Sequence, residues 1–228
     1  MEDLIITASN IHKIYDTGTV KVQALYGVDI DVRRGEMVAI MGPSGCGKTT
    51  LLNCLSGIDN VNNGEIFIGG RAIHDLSDDE LSEFRSKFMG FVFQTYNLLP
   101  VLTAQENVEL PLLISGHSQK EAKVRAAESL ASVSLEDWGE HRPTELSGGQ
   151  QQRVAIARAL VNNPTIVWAD EPTGNLDSQN EREIMELITR LNKDNGQTFV
   201  LVTHADSVGA QADRIIYMRD GMIDTERA

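Results

Sequence analysis

One glycine-rich run that ends in lysine and threonine restricts the fold of this chain more than any other feature of its sequence. The run reads Gly42-Pro43-Ser44-Gly45-Cys46-Gly47-Lys48-Thr49-Thr50 and matches G-x-x-x-x-G-K-S/T, the P-loop pattern. The apolar residues 38–41 precede it and predict a short buried strand, while residues 50–55 predict a helix that ends before Gly57. A strand, a glycine-rich loop and a helix in this order indicate an α/β fold.

The P-loop pattern predicts a site for a polyphosphate. Glycines allow the backbone to curl until several N–H groups point into one hollow, and the positive end of the following helix adds to the attraction for an anion. Lys48 would reach the β- and γ-phosphates of a nucleotide, and the Thr49 hydroxyl would bind Mg²⁺. The alternative, a strand-to-helix turn with an incidental lysine, is disfavoured by the strand and the helix on either side.

The acidic composition argues against nucleic acid as a partner. The 228 residues include 33 acidic and 20 basic side chains, for a net charge of −13, whereas sequence-independent binding of nucleic acid depends on Lys and Arg. A bilayer span needs about 20 apolar residues, and the uninterrupted apolar runs of this chain are only a few residues long. The acidic residues 1–4 do not resemble a signal peptide. We therefore expect a cytoplasmic protein that does not itself cross a membrane.

An acidic pair follows the apolar residues 165–169, which predict a buried strand. Asp170 could hold the Mg²⁺ shell, and Glu171 could orient the attacking water or accept its proton. The alternative is an acidic pair on the surface. The apolar strand disfavours it, because the carboxyl ends of parallel strands meet at the ligand crevice of an α/β sheet.

Two other predicted strands end in polar side chains. Residues 198–203 precede His204, which could donate to a γ-phosphate or be a structural histidine. Residues 90–93 precede Gln94, which either faces the same crevice or is a solvated loop residue.

A second glycine-rich turn lies at Leu146-Ser147-Gly148-Gly149-Gln150. Ser147 and Gln150 fit a capping box at the start of a helix, which is the structural explanation. Two glycines in the first turn cost about 1 kcal/mol each relative to Ala, whereas exposed amides at a helix N-terminus can bind an anion. We therefore expect this turn to bind a phosphate and the apolar helix after it to be buried.

The remaining regions are less specific. Residues 3–36 are predicted to be β-rich, with Tyr15 between the first two strands, where its ring either stacks on adenine or is one more strand aromatic. Residues 95–160 are predicted to be a helical insert with an apolar surface, which suggests a docking groove for a partner or an ordinary core between helices. Ser178 is predicted to cap a long helix that ends at Gly196.

Taken together and in this order, the motifs resemble the ATPase subunit of ABC transporters, and the resemblance covers essentially the whole chain. It implies a single domain, residues 1–228, with an α/β fold: a RecA-like P-loop NTPase core with an N-terminal antiparallel β subdomain (about 1–94 and 161–228) and a helical subdomain (about 95–160). It also implies ATP and Mg²⁺ sandwiched in a head-to-tail dimer, in which Lys48 and Thr49 of one subunit face Ser147 and Gly149 of the other.

The resemblance also assigns roles to single residues. It places adenine stacking at Tyr15, Mg²⁺ sensing and relay to a membrane partner at Gln94, the catalytic base at Glu171, a cross-dimer contact at Asp177 and a γ-phosphate switch at His204. The implied site contains the catalytic residues Lys48, Gln94, Glu171 and His204, the metal ligands Thr49, Gln94 and Asp170, and the nucleotide-binding residues Tyr15, Gly42, Pro43, Ser44, Gly45, Cys46, Gly47, Lys48, Thr49, Thr50, Ser147, Gly148, Gly149, Gln150 and Asp177.

A finer pattern at residues 92–108 and 146–152 is similar to the macrolide-exporter and lipoprotein-release branch of that family. The branch implies an ATP-hydrolysing motor on the cytoplasmic face of the membrane, bound to a separate permease and to a second copy of itself. Two alternatives stay open. One is an ATP cycle that drives transmembrane signalling or transmits force, and the other, less favoured, is a soluble ABC protein that acts on nucleic acid or ribosomes. The sequence does not identify the cargo.

Overall fold

Two β-sheets and seven α-helices account for most of residues 3–226, which are the residues that the computed structural model describes. The strands are β1 (Leu4–Asp16), β2 (Lys21–Arg33), β3 (Met37–Met41), β4 (Asn63–Ile68), β5 (Arg71–Ala72), β6 (Met89–Phe93), β7 (Ile166–Asp170), β8 (Thr198–Thr203), β9 (Arg214–Arg219) and β10 (Met222–Ile223). The helices are α1 (Lys48–Leu55), α2 (Asp78–Phe88), α3 (Ala104–Ile114), α4 (Gln119–Ser132), α5 (Gly148–Leu160), α6 (Ser178–Asn195) and α7 (Asp206–Gly209).

The larger sheet has the order β10-β9-β3-β8-β7-β6, and all its neighbouring strands are parallel except the β9–β10 pair. The strand β3 is buried along its whole length, as is β8. Near-continuous apolar sequences suit strands that are covered on both faces. The carboxyl ends of β3, β6, β7 and β8 therefore lie at one edge of the sheet, as the sequence predicts.

The smaller sheet is antiparallel, with the order β2-β1-β4-β5. Its first two strands lie within the predicted β-rich region 3–36, and each is 13 residues long. Tyr15 consequently lies inside β1, opposite Val22 of β2, and its predicted place between the strands is wrong. The outer part of this hairpin carries mostly exposed side chains. It therefore lacks the apolar alternation from which a strand can be recognised.

Helices α3, α4 and α5 pack against one another through a shared apolar core that includes Val108, Leu112, Ala126, Leu130 and Val154. The α/β core, the antiparallel sheet and the helical region expected from the sequence are all present. Within residues 3–226, we find no helix that combines the length and the apolar character needed to span a bilayer.

The helix α6 differs from its prediction by one residue at its start. Asp177, not Ser178, is the N-cap, and its carboxylate accepts hydrogen bonds from the backbone N–H groups of Gln179 and Asn180 at 3.0 and 2.9 Å. These bonds satisfy amides of the first turn that have no partner inside the helix. The left-handed Gly196 ends the helix, as predicted.

Candidate nucleotide site

An open cleft of about 720 Å³ lies beside the P-loop at the carboxyl edge of the larger sheet. Its lining combines P-loop residues with side chains from distant parts of the chain. The lining residues are Val22, Gln23, Ala24, Tyr26, Ser44, Gly45, Gly47, Lys48, Thr49, Thr50, Glu171, His204, Asp220 and Gly221. The structure thus brings together the P-loop, the residue after β7 and the residue after β8.

Two glycines of the P-loop are required by close backbone contacts as well as by their dihedral angles. At Gly42, which has a φ of 151°, a Cβ atom would lie 2.2 Å from the carbonyl oxygen of Met218. At Gly47, which has a φ of 100°, it would lie 2.8 Å from the carbonyl oxygen of Ala24. Any side chain at either position would force the loop away from its neighbouring strand.

Lys48 is buried, and its ammonium group is bound to the loop that precedes it. Its Nζ donates to the carbonyl oxygens of Gly42 and Pro43, both at 2.9 Å. These charge-assisted bonds compensate for the burial of the ammonium group. They also direct its positive charge into the curve of the P-loop, where the amide groups favour an anion.

Thr49, which lines the cleft, is bound to Asp170: its hydroxyl donates to Asp170 Oδ1 at 3.1 Å. Burial raises the pKa of the Asp170 carboxyl, and the negative charge of Glu171 raises it further. The Thr49 hydrogen bond and the positive charge of Lys48 act in the opposite direction but do not outweigh burial. A hydroxyl and a carboxylate are hard oxygen ligands of the kind Mg²⁺ prefers, and the ion takes only one or two carboxylates when it also binds substrate phosphates. The residues present therefore fit Mg²⁺.

Glu171 and His204 form a contact at the mouth of the cleft, with Glu171 Oε1 2.7 Å from His204 Nδ1. The Glu171 side chain is 16% exposed and that of His204 is 68% exposed. Glu171 has a φ of 47°, in the left-handed region, and its N–H donates to the carbonyl of Val202. A non-glycine residue held in this region is typical of functional sites, where the surrounding structure maintains the strain.

Gln94 lies outside the lining of the cleft and is bound to the loop after β7. Its backbone carbonyl oxygen accepts a hydrogen bond from the Asn175 side chain at 2.9 Å, and its side-chain Nε2 lies 3.5 Å from Asn175 Oδ1. The predicted metal ligand Gln94 therefore does not share the Thr49–Asp170 contact in this arrangement.

The second glycine-rich turn does not reach the cleft: among the described residues that line it, none comes from 147–150. Ser147 and Gln150 form the predicted capping box of α5. The glycines that follow lie against the loop after β6 and the first turn of α6, since a Cβ at Gly148 would be 3.0 Å from the Tyr96 hydroxyl and one at Gly149 would be 2.3 Å from Asn180 Oδ1.

Tyr15 and Asp177 are not among the residues that line the cleft. The Tyr15 hydroxyl donates to Asp59 Oδ2 at 2.9 Å. Burial raises the pKa of Tyr15 and the Asp59 hydrogen bond adds to this, whereas a hydrogen bond with the Thr50 side chain lowers it. Thr50 itself lines the cleft, so Tyr15 is at its edge. Asp177 is occupied in capping α6, and its backbone hydrogen bond from Asn180 is the largest of the effects that lower its pKa.

Six lining residues were not predicted: Val22, Gln23, Ala24, Tyr26, Asp220 and Gly221. They come from β2 and from the turn between β9 and β10, and a hydrogen bond from the Tyr26 N–H to the Gly221 carbonyl at 3.0 Å joins these segments. The signal that could have found them is the exposure of the apolar Val22 and Tyr26, at 53% and 46%. That exposure cannot be read from the sequence.

Comparison with known proteins agrees with this arrangement. The ABC transporter family model matches residues 25–174. The ABC transporter ATP-binding protein MJ0796 of Methanocaldococcus jannaschii is 48% identical over 97% of this chain and 96% of its own. The lipoprotein-releasing system ATP-binding protein LolD of Porphyromonas gingivalis is 47% identical over 98% of this chain and 100% of its own.

A third relative is larger, and a solved structure extends the comparison to three dimensions. The macrolide export ATP-binding/permease protein MacB of Brucella melitensis is 47% identical over 96% of this chain, which spans 34% of that protein. The dimeric MJ0796 cassette in a post-hydrolysis state with ADP and Pi superposes with a TM-score of 0.88, covering 96% of each chain at 47% identity. The chain therefore belongs to the ABC transporter family, as one of its ATP-binding proteins.

Proposed function

We propose that this protein is the ATP-hydrolysing motor of an ABC transporter and that two copies sandwich ATP and Mg²⁺ head to tail while they drive a separate permease. One observation carries the proposal: the P-loop and Glu171 line one cleft and Asp170 is bound to its lining residue Thr49, whereas the turn at 147–150 lies outside it. A phosphate-binding turn that cannot reach its own P-loop can complete the cleft of a second copy.

The proposed chemistry is an in-line attack by water on the γ-phosphate, for which the protein mainly supplies position and charge. Lys48 and the P-loop amides would bind the phosphates. Glu171 would orient the water and accept its proton, and His204 would hold the Glu171 carboxylate and donate to the γ-phosphate. The Mg²⁺ ion, held through Thr49 and Asp170, would neutralise the charge of the phosphates.

The remaining predicted site residues would bind the adenine base and the partner subunit. Tyr15 would stack its ring on adenine. The amides of Gly148 and Gly149, with Ser147 and Gln150, would bind the γ-phosphate of the partner's ATP. The Asp177 carboxylate accepts from the side chain of Asn180, which lies against Gly149, and Gln94 is bound to Asn175. We propose that Asp177 contacts the partner subunit and that Gln94 joins the Mg²⁺ shell once the dimer closes.

A second groove suits the permease. It has a volume of about 350 Å³ and lies where β6 meets α3 and α5, and its lining includes Phe91, Leu110, Pro111, Ile114 and Arg158. Ile114 is 72% exposed and presents an apolar side chain at this groove. We propose that an apolar helix of a permease docks here and holds the protein on the cytoplasmic face of the membrane. MacB joins ATP-binding and permease functions in one chain, which supports a permease as the occupant.

A mixing experiment tests the composite site. Lys48→Ala removes the phosphate-binding cation and Ser147→Arg blocks the second turn, so each variant alone should be inactive. A mixed dimer has one doubly damaged site and one intact site. Since half of randomly assembled dimers are mixed, the mixture should recover up to about a quarter of the wild-type hydrolysis rate.

Ser118→Arg is the matched control, because Ser118 caps α4 through the same kind of bond, from the Glu121 N–H to its hydroxyl. This control should hydrolyse ATP almost normally. An inactive mixture, together with an active control, would contradict the head-to-tail sandwich.

A further inference from the structure

Along one edge of β1, the residues after His12 are hydrogen-bonded to a loop and not to a neighbouring strand. Pairing between β1 and β4 ends at His12 and Asn63. Beyond that point the segment 57–62, which follows α1, takes the place of β4. The Asn62 N–H donates to the His12 carbonyl at 2.9 Å, and Asn62 Oδ1 accepts from the Ile14 N–H at 2.7 Å. The loop after the P-loop helix thus runs directly along the strand that carries Tyr15.

Within this loop, Asp59 connects two side chains of β1. Its Oδ1 accepts from Lys13 Nζ at 2.5 Å, and its Oδ2 accepts from the Tyr15 hydroxyl at 2.9 Å. Lys13 Nζ also donates to the carbonyl oxygen of Asn60 at 2.6 Å. Because residues two apart on a strand point to the same face, Lys13 and Tyr15 present their polar ends to the same carboxylate.

These contacts fix the ring in position and orientation. Lys13 is buried, at 8% exposure, and its ammonium group lies 5.0 Å from the centre of the Tyr15 ring. A cation at this distance is attracted to an aromatic face. The Tyr15 residue remains 40% exposed, so the ring is held by its hydroxyl and by Lys13 while part of its surface faces solvent beside Thr50 and the cleft.

We infer that Asp59 and Lys13 are positioning residues that hold the Tyr15 ring in place for the base of the nucleotide. The inference rests on the proposed function, in which ATP binds in the adjacent cleft and Tyr15 stacks on its base. The carboxylate fixes the far end of the ring, and the ammonium group neutralises that carboxylate so that it does not repel the nucleotide. A ring fixed in advance loses less conformational freedom when a base stacks on it.

A purely structural role for these residues makes a different prediction. If Asp59 and Lys13 only joined β1 to the end of α1, their loss would weaken the whole site. Binding of ATP and of inorganic tripolyphosphate would then suffer alike, because both ligands use the P-loop. A platform for the base affects ATP alone, since tripolyphosphate has no base.

The test measures dissociation constants of ATP and of tripolyphosphate, both with Mg²⁺, by calorimetry on the full chain. Tyr15→Ala should weaken ATP about tenfold, which corresponds to ~1.4 kcal/mol and to the lower part of the range for base–aromatic stacking. Asp59→Ala and Tyr15→Phe should weaken ATP about three- to tenfold. Tripolyphosphate should change less than about twofold in all three variants, because the P-loop is intact.

Two variants protect the test against simple misfolding. Tyr15→Phe keeps the ring and the Lys13–Asp59 ion pair and removes only the hydroxyl that Asp59 binds. Asp75→Ala, which removes a carboxylate that is 77% exposed, is the matched control and should bind both ligands normally.

The possible results separate the inference from the proposed function. Normal ATP binding by Tyr15→Phe and Asp59→Ala, with a loss in Tyr15→Ala, overturns the positioning role but keeps Tyr15 as the base platform. Normal ATP binding by Tyr15→Ala overturns both the platform and its positioning. Equal losses for ATP and tripolyphosphate also overturn the inference and leave only the structural role.

Discussion

Replacing Glu171 by glutamine is the most direct perturbation of the proposed chemistry. The amide has nearly the size of the carboxylate, and its oxygen can still face His204 Nδ1 across the 2.7 Å contact. The backbone bond from the Glu171 N–H to Val202 is not affected. The substitution therefore leaves the cleft in place and removes one capacity, the acceptance of a proton.

The expected size of the effect follows from that single loss. A positioned proton acceptor contributes about 10²–10⁴ in rate, and loss of one electrostatic group costs about 10²–10³. We expect Glu171→Gln to hydrolyse ATP about 10²–10³ more slowly, which raises the barrier by about 3–4 kcal/mol. ATP should still bind, because Lys48 and the P-loop are unchanged, and the slow step should trap the closed dimer.

Single-turnover hydrolysis measures the rate, and light scattering with and without ATP–Mg²⁺ measures the mass. Glu186→Gln, on an exposed part of α6, makes the same chemical change away from the cleft and serves as the control. A hydrolysis rate of Glu171→Gln within about threefold of the wild-type rate would refute the assignment of Glu171 as the catalytic base. A monomer with ATP demonstrably bound would mean either that closure needs the permease or that the sandwich does not form.

Three further predictions concern the thiols, the core and pH. Alkylation of Cys46, which is buried in the P-loop, should abolish ATP binding. Burial raises the pKa of the Cys54 thiol to about 12, so Cys54 should stay unmodified at pH 8. Intact mass shows which thiol is modified and ATP titration measures binding; normal ATP binding after full modification of Cys46 would contradict the first expectation. Trp168 is fully buried, and its indole N–H has no hydrogen-bond partner in the described part of the chain. Trp168→Phe should therefore cost less than ~1.5 kcal/mol in urea unfolding, against ~3–5 kcal/mol for Trp168→Ala. Burial acts to raise the pKa of Glu36, but hydrogen bonds, above all from Arg214, outweigh it and lower that pKa. Glu36→Gln should therefore lower the free energy of unfolding by ~1–2 kcal/mol at pH 7, and this loss should vanish as the pH falls through the lowered pKa. Urea unfolding at several pH values measures the loss, and a loss that does not depend on pH would contradict the expectation.

The positions that could be predicted are those at the ends of buried parallel strands. Lys48 follows β3, Asp170 ends β7 and His204 follows β8. Each of these strands is a nearly continuous apolar run, so its end can be read from the sequence. The topology of a parallel sheet then brings those ends to one edge.

The positions that could not be predicted depend on contacts between distant segments. Tyr15 belongs to a strand whose outer half has little apolar alternation, and Val22 reaches the cleft only through the register of the β1–β2 hairpin, which contains several irregularities. The cap of α6 fell one residue from its predicted place, because Asp177 and Ser178 are both good N-caps. Only the path of the preceding loop selects Asp177.

The helix α5 has a mechanical consequence, because it links the two surfaces through which this protein would meet its partners. Its first turn follows Ser147, and near its other end the Arg158 guanidinium donates to the carbonyl oxygens of Tyr96 and Asn97, beside the apolar groove. Thirteen residues of helix span about 20 Å, and most of them are buried, so close packing prevents the helix from bending independently. We therefore expect α5 to move as one body, so that a displacement at the groove would also move the glycine turn at its other end.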